Sequence, residues 1–239
     1  MAETVTENEF GQPVGPEVPD WTGASRPERI VHTGRACQLE PLSVDHSAEL
    51  WEAIQLDPDG ANWTYSPAVK PSGRDECDRF VAQIAASGDP LYFAVRDLGT
   101  GKPAGWATFM RIDPPAGVIE VGSIHYTEAL KRTVAATEAM YLMMRHAFED
   151  LGYRRYEWKC HSLNEPSKRA AERYGFVYEG TFRQAMVLKG RSRDTTWYSI
   201  IDSEWPAVKA GFEAWLDPAN FDATGQQIKS LSALRSSLA

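Results

Sequence analysis

The feature that most limits how this chain can fold is one long amphipathic stretch, from about Thr133 to Leu151. It lies between two strand-like runs, GVIEVGSIHY (117–126) and RRYEWKCH (154–161). Val134, Tyr141, Met144, Phe148 and Leu151 recur on one helical stripe, and Gly152 follows as a C-terminal cap. Strands joined through such a helix run parallel, in a right-handed crossover. The runs upstream follow a different rule. LYFAVRD (91–97), KPAGWATFMRID (102–113) and GVIEVGSIHY are separated only by the tight, Gly-rich turns DLGTGK and DPPAG, which join antiparallel neighbours. The sheet is therefore expected to be a meander interrupted by a single parallel pair.

The remaining segments complete an order of β-α-α-β-β-β-α-β-α-β-β. ACQLEPL reads as a first strand, and Ser43 caps a helix that carries Leu50 and Ile54. A polar and aromatic loop, DPDGANWTYSPAVKPSGRD, precedes a second helix, roughly Arg74 to Ala86, which turns Phe80, Val81 and Ile84 inward. After RRYEWKCH comes a helix opened by Asn164 and closed at Gly175. FVYEGTFRQAMVL and RDTTWYSIID then form a hairpin about Lys189-Gly190-Arg191. The expected class is α+β (mixed α/β), a twisted, mostly antiparallel sheet with helices on both faces. Residues 1–29 read as an extended arm that lays Phe10 and Trp21 on a domain spanning 30–205. Residues 206–239 read as a helical extension, with Ile228, Leu231, Leu234 and Leu238, packed on the domain or on a partner.

Composition excludes several classes of function. No apolar run approaches the roughly 18 residues that span a bilayer, and MAETVTENEF lacks the pattern of a signal peptide. Cys37, Cys77 and Cys160 are odd in number and scattered, which suggests neither disulfides nor a metal site. A net charge of −8 opposes nucleic-acid binding and is compatible with a cationic amine. The expectation is a cytoplasmic protein, monomer or homodimer, with no membrane, nucleic-acid or metal partner.

The segment NEPSKRAAERYGFVYEGTFRQAMVLKGRSRDTTWYSIIDSEWP carries Asn164, Ser167, Gly175, Phe176, Glu179, Gly180, Arg183, Arg193, Asp194, Tyr198 and Ser199 in an ordered set. In this it resembles the C-terminal half of the ribosomal-protein (Rim-type) branch of the GNAT superfamily of N-acyltransferases. The resemblance extends upstream through ALKRTVAATEAMYLMMRHAFEDLGYRR and covers about Arg35 to Trp205. It implies a GNAT-like fold, an acyl-CoA donor (acetyl-CoA first), and a small-molecule or peptide amine as acceptor. Two other readings remain: a non-catalytic GNAT-fold sensor or partner-binding module, and an acyltransferase using another donor such as succinyl-CoA.

The chemistry such a donor needs can be placed on these residues. A helix N-terminus offers unpaired N–H groups and partial positive charge to a pyrophosphate. Lys131, Arg132, Thr133, Val134, Ala135, Ala136 and Thr137 stand where such a loop would lie. Val134 replaces the middle glycine of the family's phosphate loop, and alternatively only begins the helix stripe. The strand through Ile124, His125 and Tyr126 would pair with the pantetheine arm, and an N–H in it could hold the oxyanion. Resemblance adds Asn164 and Lys168 to the cofactor contacts.

The tyrosine that often protonates the leaving thiolate is replaced by Ala171, so the resemblance makes Ser167 the candidate acid, beside Asn164. Asn164 also fits a helix N-cap, with Ser167 bonded inside the first turn. Glu120 is a candidate base, or a solvent-facing glutamate. His125, five residues on, is expected on the opposite face by alternation, as an alternative base or a hydrogen-bonded core residue. Trp63 and Tyr65 are candidates for the acceptor site, or for covering the sheet edge. Glu179 is expected at the cleft floor, or paired with Arg183 or Arg193. Asp194 suits turn chemistry, and Trp197, Tyr198 and Trp205 are expected in the core.

Overall fold

The computed structural model describes residues 5–238; the first four residues of the expected arm, Ala239 and the Leu238 side chain lie outside it. The strands are β1 (Thr6–Glu7), β2 (Pro13–Val14), β3 (His32–Thr33), β4 (Cys37–Pro41), β5 (Leu91–Asp97), β6 (Lys102–Asp113), β7 (Val118–Tyr126), β8 (Arg155–His161), β9 (Val177–Leu188) and β10 (Arg191–Ile201). The helices are α1 (Ser47–Ile54), α2 (Arg74–Ala85), α3 (Val134–Arg145), α4 (Glu165–Tyr174), α5 (Trp205–Leu216) and α6 (Leu231–Leu238).

β1 and β2 form a small ribbon, and the other eight strands form one sheet in the order β3-β4-β5-β6-β7-β8-β10-β9. Every neighbouring pair is antiparallel except β7 with β8. α3 makes that crossover. Its end continues as one π-helical turn, His146–Asp150, before Gly152 at φ +76°.

Alternation in the central strands divides the core between the two faces. Phe93, Val95, Ala107 and Phe109 meet Ala139, Met140, Met143 and Met144 of α3 on one face. Ala94 and Trp106 meet Leu50 and Ile54 of α1, and Val81 and Ile84 of α2, on the other. Mixed polarity is tolerated in α3 because Glu138, buried among these apolar residues, accepts from the N–H groups of Arg35, Ala36 and Cys37 at 2.8, 2.6 and 2.9 Å. That contact ties the start of β4 to the crossover helix.

The arm packs on the domain only from Trp21 onward; Phe10, expected against it, is exposed with the β1–β2 ribbon, whereas α5 and α6 pack on the helices. Trp21 donates to the Pro115 carbonyl at 2.8 Å, and Ala24 and Ser25 bond to Pro114 and Leu151. α5 lies on α3, where the Tyr141 hydroxyl donates to Glu213 at 2.9 Å. Arg235 of α6 donates to the carbonyls of Arg173 and Glu172 at the end of α4. Among the described residues no helix is long and apolar enough to cross a membrane.

Candidate active site

β7 and β8 pair only from Val118–Val121 to Arg155–Trp158. Beyond this the two strands splay, β7 staying with β6 and β8 with β10. The backbone of residues 122–126 is left without a partner on one side, and a cleft of about 1540 Å³ opens there. A bulge shapes this edge. Thr108 lies opposite Gly122 and Trp106 opposite His125, so Ser123 and Ile124 together face Ala107 alone. Ser123 takes φ +44° to do so. At Gly122 beside it, the Met110 thioether fills the space a Cβ would need.

The bulge overturns the expectation that Glu120 and His125 face opposite ways. One extra residue restores their parity, so Glu120, Gly122 and His125 share one face and all line the cleft. Nor does Glu120 face solvent. It is buried, bonded to Arg111 at 2.7 Å and to Lys159 at 2.9 Å. Burial raises its pKa from the ordinary glutamate value, with the two cations opposing. Arg111 is aimed there by its own φ of +47°, with its N–H held by Asp89 at 2.9 Å.

The charges continue across the sheet. Lys159 bonds Glu157 at 2.6 Å, Arg155 bonds Glu157 at 2.7 Å, and Arg155 grips Glu179 with two nitrogens. Glu179, which also accepts from Ser199 at 2.7 Å, is therefore the end of a ladder and does not line the cleft. Its expected partners, Arg183 and Arg193, are not the ones it has.

At one end of the cleft lies the N-terminus of α3. Thr133 caps it, its hydroxyl accepting from Ala136 N–H at 3.0 Å. The first-turn N–H groups of Val134 and Ala135 have no intrahelical acceptor. Lys131, Arg132, Thr133, Val134, Ala136 and Thr137 line the opening, while the Ala135 methyl is buried in the core. Arg169 and Arg173, one turn apart on α4, complete a basic mouth. Arg173 donates to Thr137 at 3.2 Å and lies over Trp215 of α5, 5.1 Å from the ring centre.

Across the gap, Asn164 caps α4 by accepting from Ser167 N–H at 3.2 Å. The Ser167 hydroxyl oxygen accepts from the Trp158 indole N–H at 3.0 Å. That bond occupies an acceptor position and leaves the serine O–H as a donor, with the Cys160 thiol beside it on the cleft wall.

The loop before α2 closes the far side. Asn62 donates to the Tyr126 carbonyl at 2.9 Å, and the Tyr65 hydroxyl donates to the Leu163 carbonyl at 2.9 Å. Trp63 is buried against Phe80, Trp106 and His125. Burial, aided by the Lys131 charge, lowers the His125 pKa to about 3, so its ring is neutral at ordinary pH. Trp197, expected in the core, instead forms part of the cleft wall. Lys159 stands 3.7 Å above its ring and Phe182 stacks on it. Tyr198 and Trp205 are buried as expected.

Comparison with known proteins agrees with this geometry. A family model described as an acetyltransferase (GNAT) domain matches residues 37–177. The chain belongs to the GNAT acetyltransferase family. A GCN5-related N-acetyltransferase from Brucella melitensis is 49% identical, covers 92% of this chain and 100% of its own, and superposes with a TM-score of 0.90. YdaF of Bacillus subtilis, provisionally named a ribosomal N-acetyltransferase, is 33% identical over 73 residues. That match spans 30% of this chain and 40% of YdaF. The microcin self-immunity acetyltransferase MccE, solved with acetyl-CoA and AMP, shares the fold at 22% identity and a TM-score of 0.61. It covers 70% of this chain and 93% of its own.

Most of the residues singled out in the sequence meet in this GNAT cleft: Trp63, Tyr65, Glu120, Ile124, His125, Tyr126, the α3 loop, Asn164 and Ser167. Lys168 does not. It pairs with Glu165 at 2.7 Å and faces a separate groove with Glu172 and Tyr178. A helix turns about 100° per residue, so Ala170 and Arg173 lie about 60° and 120° round from Ser167 on the cleft side, whereas Lys168 lies about 100° round the other way. Sequence reasoning missed Arg169 and Arg173. Their signal was the i, i+4 spacing of two arginines after the Asn-x-x-Ser pair. Among the described residues no group of three or more His, Cys, Asp or Glu could hold a metal ion.

Proposed function

We propose that this chain transfers an acetyl group from acetyl-CoA to a primary amine, by direct attack within a ternary complex. The observation that carries this is an alignment within one cleft. The unpaired β7 edge leads to the capped N-terminus of α3, and Ser167 stands across the gap.

The pantetheine arm would add to β7 as an extra strand, its amides bonding the backbone of residues 123–125, beyond which Asn62 already holds the Tyr126 carbonyl. The pyrophosphate would sit on the N–H groups of Val134 and Ala135, with Lys131, Arg132, Arg169 and Arg173 around it. Val134 leaves this arrangement intact, because a helical N1 residue presents its N–H whatever its side chain. A β7 N–H would face the charge developing on the thioester carbonyl oxygen.

The amine must attack as the neutral base. Glu120 would take its proton through water, its buried and raised carboxyl being better matched to this task than an exposed one. As the C–N bond forms and the C–S bond breaks, Ser167 would donate its proton to the leaving sulfur. Solvent then restores both groups, so the net proton passes from amine to thiol. The neutral His125 ring and Trp63 would shape the acceptor side without carrying charge.

The test is calorimetric binding of acetyl-CoA, together with thiol release across an amine panel. Acetyl-CoA at about 100 Kd should stabilise the fold by about 2.7 kcal/mol. Absence of binding by any acyl-CoA at millimolar concentration would overturn the proposal, as would binding without thiol release for every amine.

A further inference from the structure

We propose that the amine accepted in this cleft carries a carboxylate, and that Arg193 receives it; this rests on the acyl-transfer reading above. Arg193 stands on β10, half buried in the cleft wall. Among the described residues its guanidinium makes no ion pair or hydrogen bond, and its Nε is enclosed without an acceptor.

The other cations of this wall are matched. Arg111, Lys159 and Arg155 alternate with Glu120, Glu157 and Glu179 in the ladder, three charges of each sign. The carboxylate next in sequence, Asp194, is occupied by the N–H of Gln184 at 2.7 Å. Glu120, whose charge acts on Arg193 through space, is already held by Arg111 and Lys159. Arg193 is therefore the unmatched positive charge at the acceptor end. Burial lowers its pKa, yet a guanidinium stays charged.

Its neighbours on the same face share the deficit. The Thr195 hydroxyl, in a residue only 7% exposed, has no partner, and neither does the Trp197 indole N–H. Native proteins rarely leave buried polar groups unpartnered, and three on one wall of one cleft call for an acceptor-rich ligand. A carboxylate supplies two coplanar oxygens that fit the planar fork of arginine. A phosphate dianion would require a second free cation, and the ladder provides none. With the carboxylate on Arg193, the amine of a small acceptor would extend toward Glu120 and the β7 edge. Phe182, Met186 and Met110 offer it an apolar slot.

The experiment measures binding of product-like ligands by quenching of tryptophan fluorescence, since Trp63 and Trp197 line the cleft. A panel of N-acetyl amino acids is compared with the matching N-acetyl carboxamides. A second arm uses N-acetyl dipeptide amides with Asp or Glu at the second position, which separates a free α-carboxylate from an acidic peptide side chain. At least one acid should bind about tenfold or more tighter than its amide. Arg193→Gln should bring the pair to near equality, Arg193→Lys should keep part of the preference, and acetyl-CoA affinity should not change. If no acid in either arm is preferred, or if the preference survives Arg193→Gln, the proposal is wrong. Thiol release measured in parallel keeps the two readings apart. Arg193-dependent acid binding without turnover overturns acyl transfer alone, whereas equal turnover of acids and amides overturns the carboxylate alone.

Discussion

Trp158 holds Ser167 by its hydroxyl oxygen, indole Nε1 to Oγ at 3.0 Å, across the space between β8 and the first turn of α4. Trp158 is almost fully buried, so its N–H has no solvent alternative, and the bond sets the direction in which the serine can donate.

Trp158→Phe keeps most of the packing and removes the donor. Turnover should fall by about threefold to tenfold, with the KM for acetyl-CoA unchanged. Ser167→Ala should cost about a hundredfold if the serine is the acid. The double variant should be no slower than Ser167→Ala, because the indole acts only through the hydroxyl. Steady-state kinetics at saturating acetyl-CoA check this, and full turnover in Ser167→Ala would remove both residues from the proton path.

Thr133 holds the end of α3 on which the pyrophosphate is proposed to sit. Thr133→Ala loses the bond to Ala136 N–H and should destabilise the protein by about 1 kcal/mol. Urea unfolding measures that loss. Calorimetry with acetyl-CoA should show weaker binding for the same variant, because the phosphate-facing turn is then less well ordered.

Glu138 accepts three consecutive N–H groups at the start of β4, and Gly34 is bare because this carboxylate occupies the place of a Cβ. Glu138→Gln turns an amide NH₂ toward the same donors. Loss of about 3 kcal/mol is expected in chemical denaturation. A loss within experimental error would show that the backbone finds other acceptors.

His125 and His32 are both held neutral. Burial lowers His125 from 6.5 to about 3, and burial with the neighbouring His146 lowers His32 from 6.5 to about 4. Both folded values lie below the unfolded one, so their contribution is full above pH 6.5 and is lost as pH falls toward these values. Each histidine should therefore remove about 1.4 kcal/mol of stability per pH unit in that window. Unfolding measured between pH 7 and pH 5 checks the slope. His125→Phe keeps a ring against Trp106 and should reduce the slope by about half.

Local regularities are legible in the sequence. The antiparallel meander follows from alternation and tight Gly-rich turns, and the parallel pair from the apolar stripe of α3. Asn164 is legible as a cap and Ser167 as its neighbour in the first turn. Each of these depends on contacts within a few residues, which a sequence displays directly. The misplaced residues share a different cause. Resemblance alone puts Lys168 in the cleft, but the helical turn carries it to another face of α4. Glu179 has arginines near it in sequence, yet its partner Arg155 lies two strands away in the sheet.

What the sequence determined by itself was the order of the elements, the two-sided hydrophobic division of the sheet and the family of the fold. Period and punctuation are encoded residue by residue. What only the tertiary structure decided was which side chains face one another. The bulge at Ser123 puts His125 and Glu120 on one face, yet it exists only in the register of β6 against β7. The charge ladder matches Arg111, Lys159 and Arg155 but leaves Arg193 over, and that difference exists only once β7, β8, β9 and β10 lie side by side. Pairings at long sequence separation are set by sheet register, and a single inserted residue reverses every side chain that follows it.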